Sequence, residues 1–182
     1  PPPITASPAV FNYTDILPHL LADAGTSYDL PGVCSEYYDY YMNRATTKSG
    51  CIALTVTGEL EPLAAIVKEI ETKYPGKTYD RASLQTYEGL DEHVFYDLQG
   101  YIEAICDEKD PLLDKFRAQM GKAFPTESRL HTPSFYSVYG LGDAPNGMHT
   151  IEDGKYSGVT TSAPCERFAP EWAQTSWYRA TH

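Results

Sequence analysis

Between Cys51 and Gly140 the sequence runs strand, helix, strand, strand, helix, strand, and that order narrows the available folds more than any other feature of the chain. CIALTVT alternates in strand fashion and ends at Thr57-Gly58. ELEPLAAIVKEIETKY then places Leu63, Ile66, Val67, Ile70 and Tyr74 on one helical stripe, which Pro75-Gly76 stops. YDRASLQTY and HVFYDL flank Glu88-Gly89-Leu90-Asp91 as the two arms of a hairpin. A helical stretch with Tyr101, Ile102, Ile105 and Cys106 on one face, restarted by Asp110-Pro111, leads to the strand-like SFYSVYG. The pattern predicts an α+β fold with a ferredoxin-like split βαβ (β-α-β-β-α-β) sheet. Its strands are expected near 51–57, 79–87, 92–98 and 134–140 in one antiparallel sheet, with both helical regions on the side of Ile52, Leu54 and Val56.

A chain of 182 residues suits one domain. The division expected is an extended N-terminal segment over 1–12, where PPPITASP disfavours helix, and a single α+β domain over 13–182 with its core at 51–140. The sheet therefore carries a helical N-terminal extension and a loop-rich C-terminal one. Thr14 caps a short helix reaching about Ala24, Asp29-Leu30-Pro31-Gly32 is a turn, and Ser35 caps a second helix whose Tyr37, Tyr38, Tyr41 and Met42 recur at helical spacing. Five glycines and one proline fall between Gly140 and Gly158, a loop composition. Trp172 and Trp177 anchor the tail to the core.

The net charge of −11, from 25 acidic and 14 basic residues, argues against nucleic acid as a partner, because phosphate binding draws on Lys and Arg. It disfavours anionic membranes for the same reason. No apolar run reaches the roughly 18 to 20 residues that a membrane span needs. Cys34, Cys51, Cys106 and Cys165 lie far apart, without a metal-binding spacing, and predict two disulfides. Four cysteines allow three pairings; Cys34–Cys51 with Cys106–Cys165 is preferred, since Cys51 points away from the helices that carry Cys106. Asn12-Tyr13-Thr14 is an N-glycosylation acceptor. Disulfides, sequon and tyrosine content together predict an extracellular, secreted protein.

If the hairpin forms, the sheet face away from the helices gathers Arg81, Ser83, Gln85, Tyr87, His93, Phe95, Asp97 and Tyr139, a polar and aromatic surface suited to binding. Chemistry is thinner. No nucleophile elbow, phosphate loop or HExxH motif occurs. His131, His149 and Asp143, in or near loops, are the least implausible catalytic group, and no metal or cofactor is called for. The expected function is that of a small secreted, disulfide-bonded protein acting by binding a partner protein or a glycan. The alternative is a small extracellular hydrolase using a histidine and carboxylates. In predicted topology the layout is similar to the ferredoxin-like toxins and effectors secreted by fungi, which implies an effector- or toxin-like interaction module.

Overall fold

The computed structural model describes residues 4–6, 13–20, 28–90, 92–137 and 147–182. It is an α+β structure with a strand covered on both faces and a separate helical core. That strand, β2 (Cys51–Thr55), lies between β1 (Ile4–Ala6) and β4 (Arg129–His131), both antiparallel to it, with Leu54 opposite Thr5 and Ile52 opposite Leu130.

The predicted amphipathic helix is α3 (Leu60–Lys73), and its stripe of Leu63, Val67 and Ile70 is buried. It packs with α4 (Leu98–Ile105) and α5 (Pro111–Ala123), whose Ile102, Ile105, Leu113, Phe116 and Met120 complete the main core. Large apolar side chains at period 3.6 leave three helices no stable arrangement except stripe against stripe. The break between α4 and α5 falls where the sequence placed it. Asp110 caps α5 by accepting from Leu112 N and reaches back to the end of α3, where Lys73 Nζ stands 2.5 Å away and the Tyr74 hydroxyl donates to the same carboxylate. After α5 the chain turns into β4, and the Arg129 guanidinium donates to the Phe124 and Met120 carbonyls that end the helix.

The ferredoxin-like sheet does not form. Among the described residues three small antiparallel sheets stand in its place: β1-β2-β4, β3 (Tyr96–Asp97) with β7 (Thr160–Thr161), and β5 (Ser134–Tyr136) with β6 (Met148–Thr150). The segment expected as a strand over 79–87 is instead a 3-10 turn at Arg81–Ser83 and one bridge from Thr86 to Tyr96. Asp80 accepts from Ala82 N while Ser83 Oγ donates to Asp80 O, and these local bonds compete with a ladder.

Ile52 and Leu54 turn toward Cys34 and Tyr37 rather than toward α3, α4 and α5. These partners lie on α2 (Leu30–Asp39), which starts earlier than expected because Asp29, not Ser35, is its N-cap and accepts from Gly32 N. α2 continues as a π-helical turn over Tyr40–Arg44, and α1 (Tyr13–Leu20) packs beside it. The opposite face of β2 is covered as well. Cys51 packs with Phe135 and Ile151, and the loop at Gly158 lies on Ala53. The tail forms α6 (Ala169–Trp172) and α7 (Ser176–Thr181), and Trp177 packs against the α3 core.

Gly158 has φ +83°, and a Cβ built there would stand 2.7 Å from the Ala53 Cβ, in the rigid middle of β2. Gly158→Ala should therefore cost about 2 kcal/mol or more in urea unfolding, combining backbone strain with a contact that cannot relax. A second expectation concerns acid. The Asp110 carboxyl is pulled down to about 2 by Lys73 first and by Tyr74 and Leu112 N after it. An unfolded aspartate titrates near ~3.9, so its contribution is complete above that pH and disappears as pH falls toward about 2. Asp110→Asn should flatten the fall of melting temperature over that interval.

Candidate functional site

Where β3, β7 and the first turn of α4 meet, polar side chains are buried. Asp97 is fully buried and receives four hydrogen bonds: from Gly100 N at 2.9 Å, from Ser157 N and Oγ at 2.8 Å each, and from the Tyr87 hydroxyl at 2.9 Å. It thus caps α4 while tying in two loops. Burial pushes its carboxyl above the ordinary range, against the pull of those donors. Burial also pushes the Tyr87 phenol up, with the Asp97 charge adding to it, so this hydroxyl remains a donor.

Glu88 folds the next loop around itself. One carboxylate oxygen accepts from Val94 N at 2.7 Å and Phe95 N at 3.0 Å, the other from Leu90 N at 3.1 Å, with His93 Nδ1 at 2.8 Å. The held imidazole of His93 lines a cavity of about 520 Å³ whose walls include Arg81, Glu92, Tyr96, Cys165 and Arg167. Arg81 crosses its rim to Glu166 at 3.1 Å and to Pro164 O at 3.2 Å. On its other side His93 borders a shallower cavity of about 410 Å³ with Gln85, Met148, His149 and Glu152.

Of the residues named from sequence for a binding face, Arg81 and His93 come together at the larger cavity. Ser83 lies in the 3-10 turn, and buried Gln85 joins Thr150 O to Glu152 N. Tyr87 and Asp97 bond each other in the interior, and Phe95 is 46% exposed. Tyr139, Asp143 and the sequon residue Asn12 lie outside the described residues. His131 and His149 end a chain of rings: His149 stacks on Phe135 at 5.1 Å, Phe135 meets Tyr87, Tyr87 meets Tyr156, and Tyr156 meets His131 at 4.8 Å. His131 Nδ1 faces Thr132 O at 2.9 Å, and His149 Nε2 is buried without a hydrogen-bond partner. Glu88 escaped the sequence reading because Glu-Gly-Leu-Asp reads as a hairpin turn. Asp97 carried a visible signal, an Asp immediately before a helical run, but it was assigned to a strand face.

The two predicted disulfides are absent. All four cysteines are free thiols and buried, on elements whose packing leaves no pair joined. Burial raises the Cys34 and Cys51 thiols to about 11 and also pushes Cys106 up. Among the described residues no sulfur shares a hydrogen bond with a histidine, and no group of three His, Cys, Asp or Glu side chains is placed to hold a metal ion.

No protein-family model matches the sequence, and no curated relative does. Solved structures do. A clostripain from Bacteroides thetaiotaomicron, in complex with the peptide inhibitor BTN-VLTK-AOMK, is 30% identical with TM-score 0.77, over 94% of this chain and 70% of that one. A secreted C11 cysteine protease from the same organism is 31% identical with TM-score 0.77, over 93% of this chain and 44% of that one. A B. fragilis cysteine protease has TM-score 0.80 at 22% identity, over 99% of this chain and 77% of that one, a likeness of fold. The chain thus spans between 44% and 77% of these three. This likeness to cysteine proteases overturns the expected disulfide-bonded binding or effector module, and nothing in it supports a glycan ligand. The hydrolase weighed beside it was built on histidine and carboxylates, where these neighbours are cysteine enzymes.

In the folded chain at pH 8, a thiol-specific chromogenic reagent should react slowly, and in guanidinium without reductant it should titrate all four cysteines. Fewer than four in denaturant would restore a disulfide.

Proposed function

The chain belongs to the clostripain family of cysteine proteases, and from that premise we propose that it works within a cysteine peptidase that cleaves peptides after basic residues. The observation that carries this reading is the 30% identity and TM-score of 0.77 to a clostripain over 94% of the chain. The lysine-ended peptide inhibitor held by that protein supports a basic substrate, and a net charge of −11 favours the approach of cationic peptides.

Attack on a peptide carbonyl needs an accessible thiolate with a base beside it. The four thiols here are buried, three of them held protonated by their surroundings, and none is hydrogen-bonded to a histidine among the described residues. The nucleophile of the peptidase is therefore assigned to a part of the enzyme other than this chain's cysteines. This chain's role is to supply the α3-α4-α5 scaffold and a wall of the substrate cleft, with Arg81 and His93 as substrate contacts at the 520 Å³ cavity. The partner is a peptide or protein substrate. An extracellular location is the reading favoured by the secreted neighbour. Among the described residues no helix is long and apolar enough to cross a membrane.

The test is covalent labelling with a lysine-ended peptidyl acyloxymethyl ketone, followed by peptide mapping. Cys34, Cys51, Cys106 and Cys165 should remain unmodified in the folded chain, while the complete peptidase carries the adduct on another cysteine. An adduct on Cys165, lost on His93→Ala, would overturn this assignment and make Cys165, His93 and Glu88 the catalytic set. No adduct on the complete protein would remove the peptidase reading.

A further inference from the structure

A third cavity, of about 330 Å³, opens where the end of α3 meets α4 and α7, apart from the cavities around His93. Its walls include the rings of Tyr74, Tyr79 and Tyr101, the last two edge to face at 5.7 Å. Glu71 stands among them with its side chain only 13% exposed. One of its oxygens receives a long hydrogen bond from the Tyr101 hydroxyl at 3.5 Å, and the other is buried and makes none. A buried carboxylate needs a cation or a proton.

The cations nearby do not serve it. Lys77 lies 2.7 Å from Asp107, and Lys73 lies 2.5 Å from Asp110. His182 Nε2 is 3.3 Å from the unbonded oxygen, yet it makes no hydrogen bond to it. Its Nδ1 is engaged elsewhere, 3.0 Å from the Thr181 hydroxyl and 3.3 Å from Tyr178 O. Burial also holds this imidazole below its usual range, with the Lys68 charge adding to the effect, so the ring is neutral near pH 7. Lys73 and Lys77 already stand over the Tyr74 ring at 5.6 and 5.1 Å, which leaves Tyr79 and Tyr101; a carboxylate short of a cation beside these two electron-rich rings is an arrangement that receives an organic ammonium.

We propose that this cavity binds the ammonium-tipped side chain of a lysine carried by a peptide, with Glu71 as counter-charge and Tyr79 and Tyr101 as the rings of the cage. That the carrier is a peptide rests on the peptidase reading; the cage does not. The volume holds one side chain rather than a length of backbone, which makes it an anchoring subsite. The ligand competes with a proton. Burial raises the Glu71 carboxyl to about 7, against the Tyr101 hydrogen bond, so an ammonium must displace a proton below that pH and meets a ready carboxylate above it. The other groups facing Glu71 are the Tyr101 phenol, which burial and the Glu71 charge keep protonated, His182, and Lys77 and Tyr79 on the rim.

Titration calorimetry with Ac-Gly-Lys-Gly-NH2 at pH 8, against the same peptide with norleucine for lysine, tests this on the chain as it stands. The lysine peptide should bind and the norleucine peptide should not. Glu71→Gln, which keeps the shape and removes the charge, should weaken binding by roughly tenfold or more while leaving the melting temperature at or above that of the parent chain. Tyr79→Leu should weaken it as well, and binding should fall between pH 8 and pH 6. Equal binding of the norleucine peptide, no binding of the lysine peptide, indifference to Glu71→Gln, or loss on Glu166→Gln at the other cavity would each overturn the proposal. Covalent labelling reports on the peptidase reading alone. Intact labelling with no lysine binding sinks only the cage, and lysine binding with no labelling sinks only the peptidase.

Discussion

The carboxylate of Asp97 is the point on which three segments of this protein depend. Its four donors come from the first turn of α4, from the loop at Ser157 and from Tyr87. An aspartate without solvent is stable only when its lone pairs are filled, so the burial of Asp97 and the positions of these segments are one condition. Glu88 repeats the device one loop away with three backbone N–H groups and His93. Sheet ladders of two or three residues give this region little rigidity of their own. The two carboxylates do the work that longer ladders do in a larger sheet, and they fix the wall on which Arg81, His93 and Cys165 stand.

The helices were legible in the sequence because their signals are local. Leu63, Val67 and Ile70 recur at the right spacing, and Asp110-Pro111 marks a helix start whatever the tertiary context. The sheet was not legible. Tyr79 through Tyr87 alternates like a strand, but its Asp, Ser and Gln side chains bond locally and across to distant loops, and sequence alternation does not reveal which bonds win. β2 shows a further limit. Its alternation placed Ile52 and Leu54 toward the core helices and Cys51 and Ala53 away from them, whereas α2 covers Ile52 and Leu54, Phe135 and Ile151 pack on Cys51, and Gly158 lies on Ala53. Cys and Ala suit a covered face as well as a bare one, so nothing in the strand distinguished the two.

The same ambiguity governs the cysteines. Even in number and widely spaced, they fit a disulfide framework, but each is also a small apolar side chain that suits a packed core, and only position in space separates the two roles. Of the candidate site, Arg81 and His93 were legible as members of one polar and aromatic face, while Cys165 and Glu92 join them through loop closure alone. Glu71 was hidden for a different reason. On a helix it looks like one more solvated acid, and its isolation is created by tyrosines from α4 and the loop after α3, and by the ring of His182.

The pairing of Cys51 with His131 joins positions separated by the whole of α3, α4 and α5. α4 and α5 meet across 106–110 and α3 joins them across 74–97, both shorter than the span between the two strands, so their core closes at smaller entropic cost. The ladder between β2 and β4 must wait until that intervening mass has brought its two ends close. Assembly of this chain is therefore ordered in time by topology. A helical nucleus comes first, and the strand at the centre of the architecture is among the last elements to be locked in place.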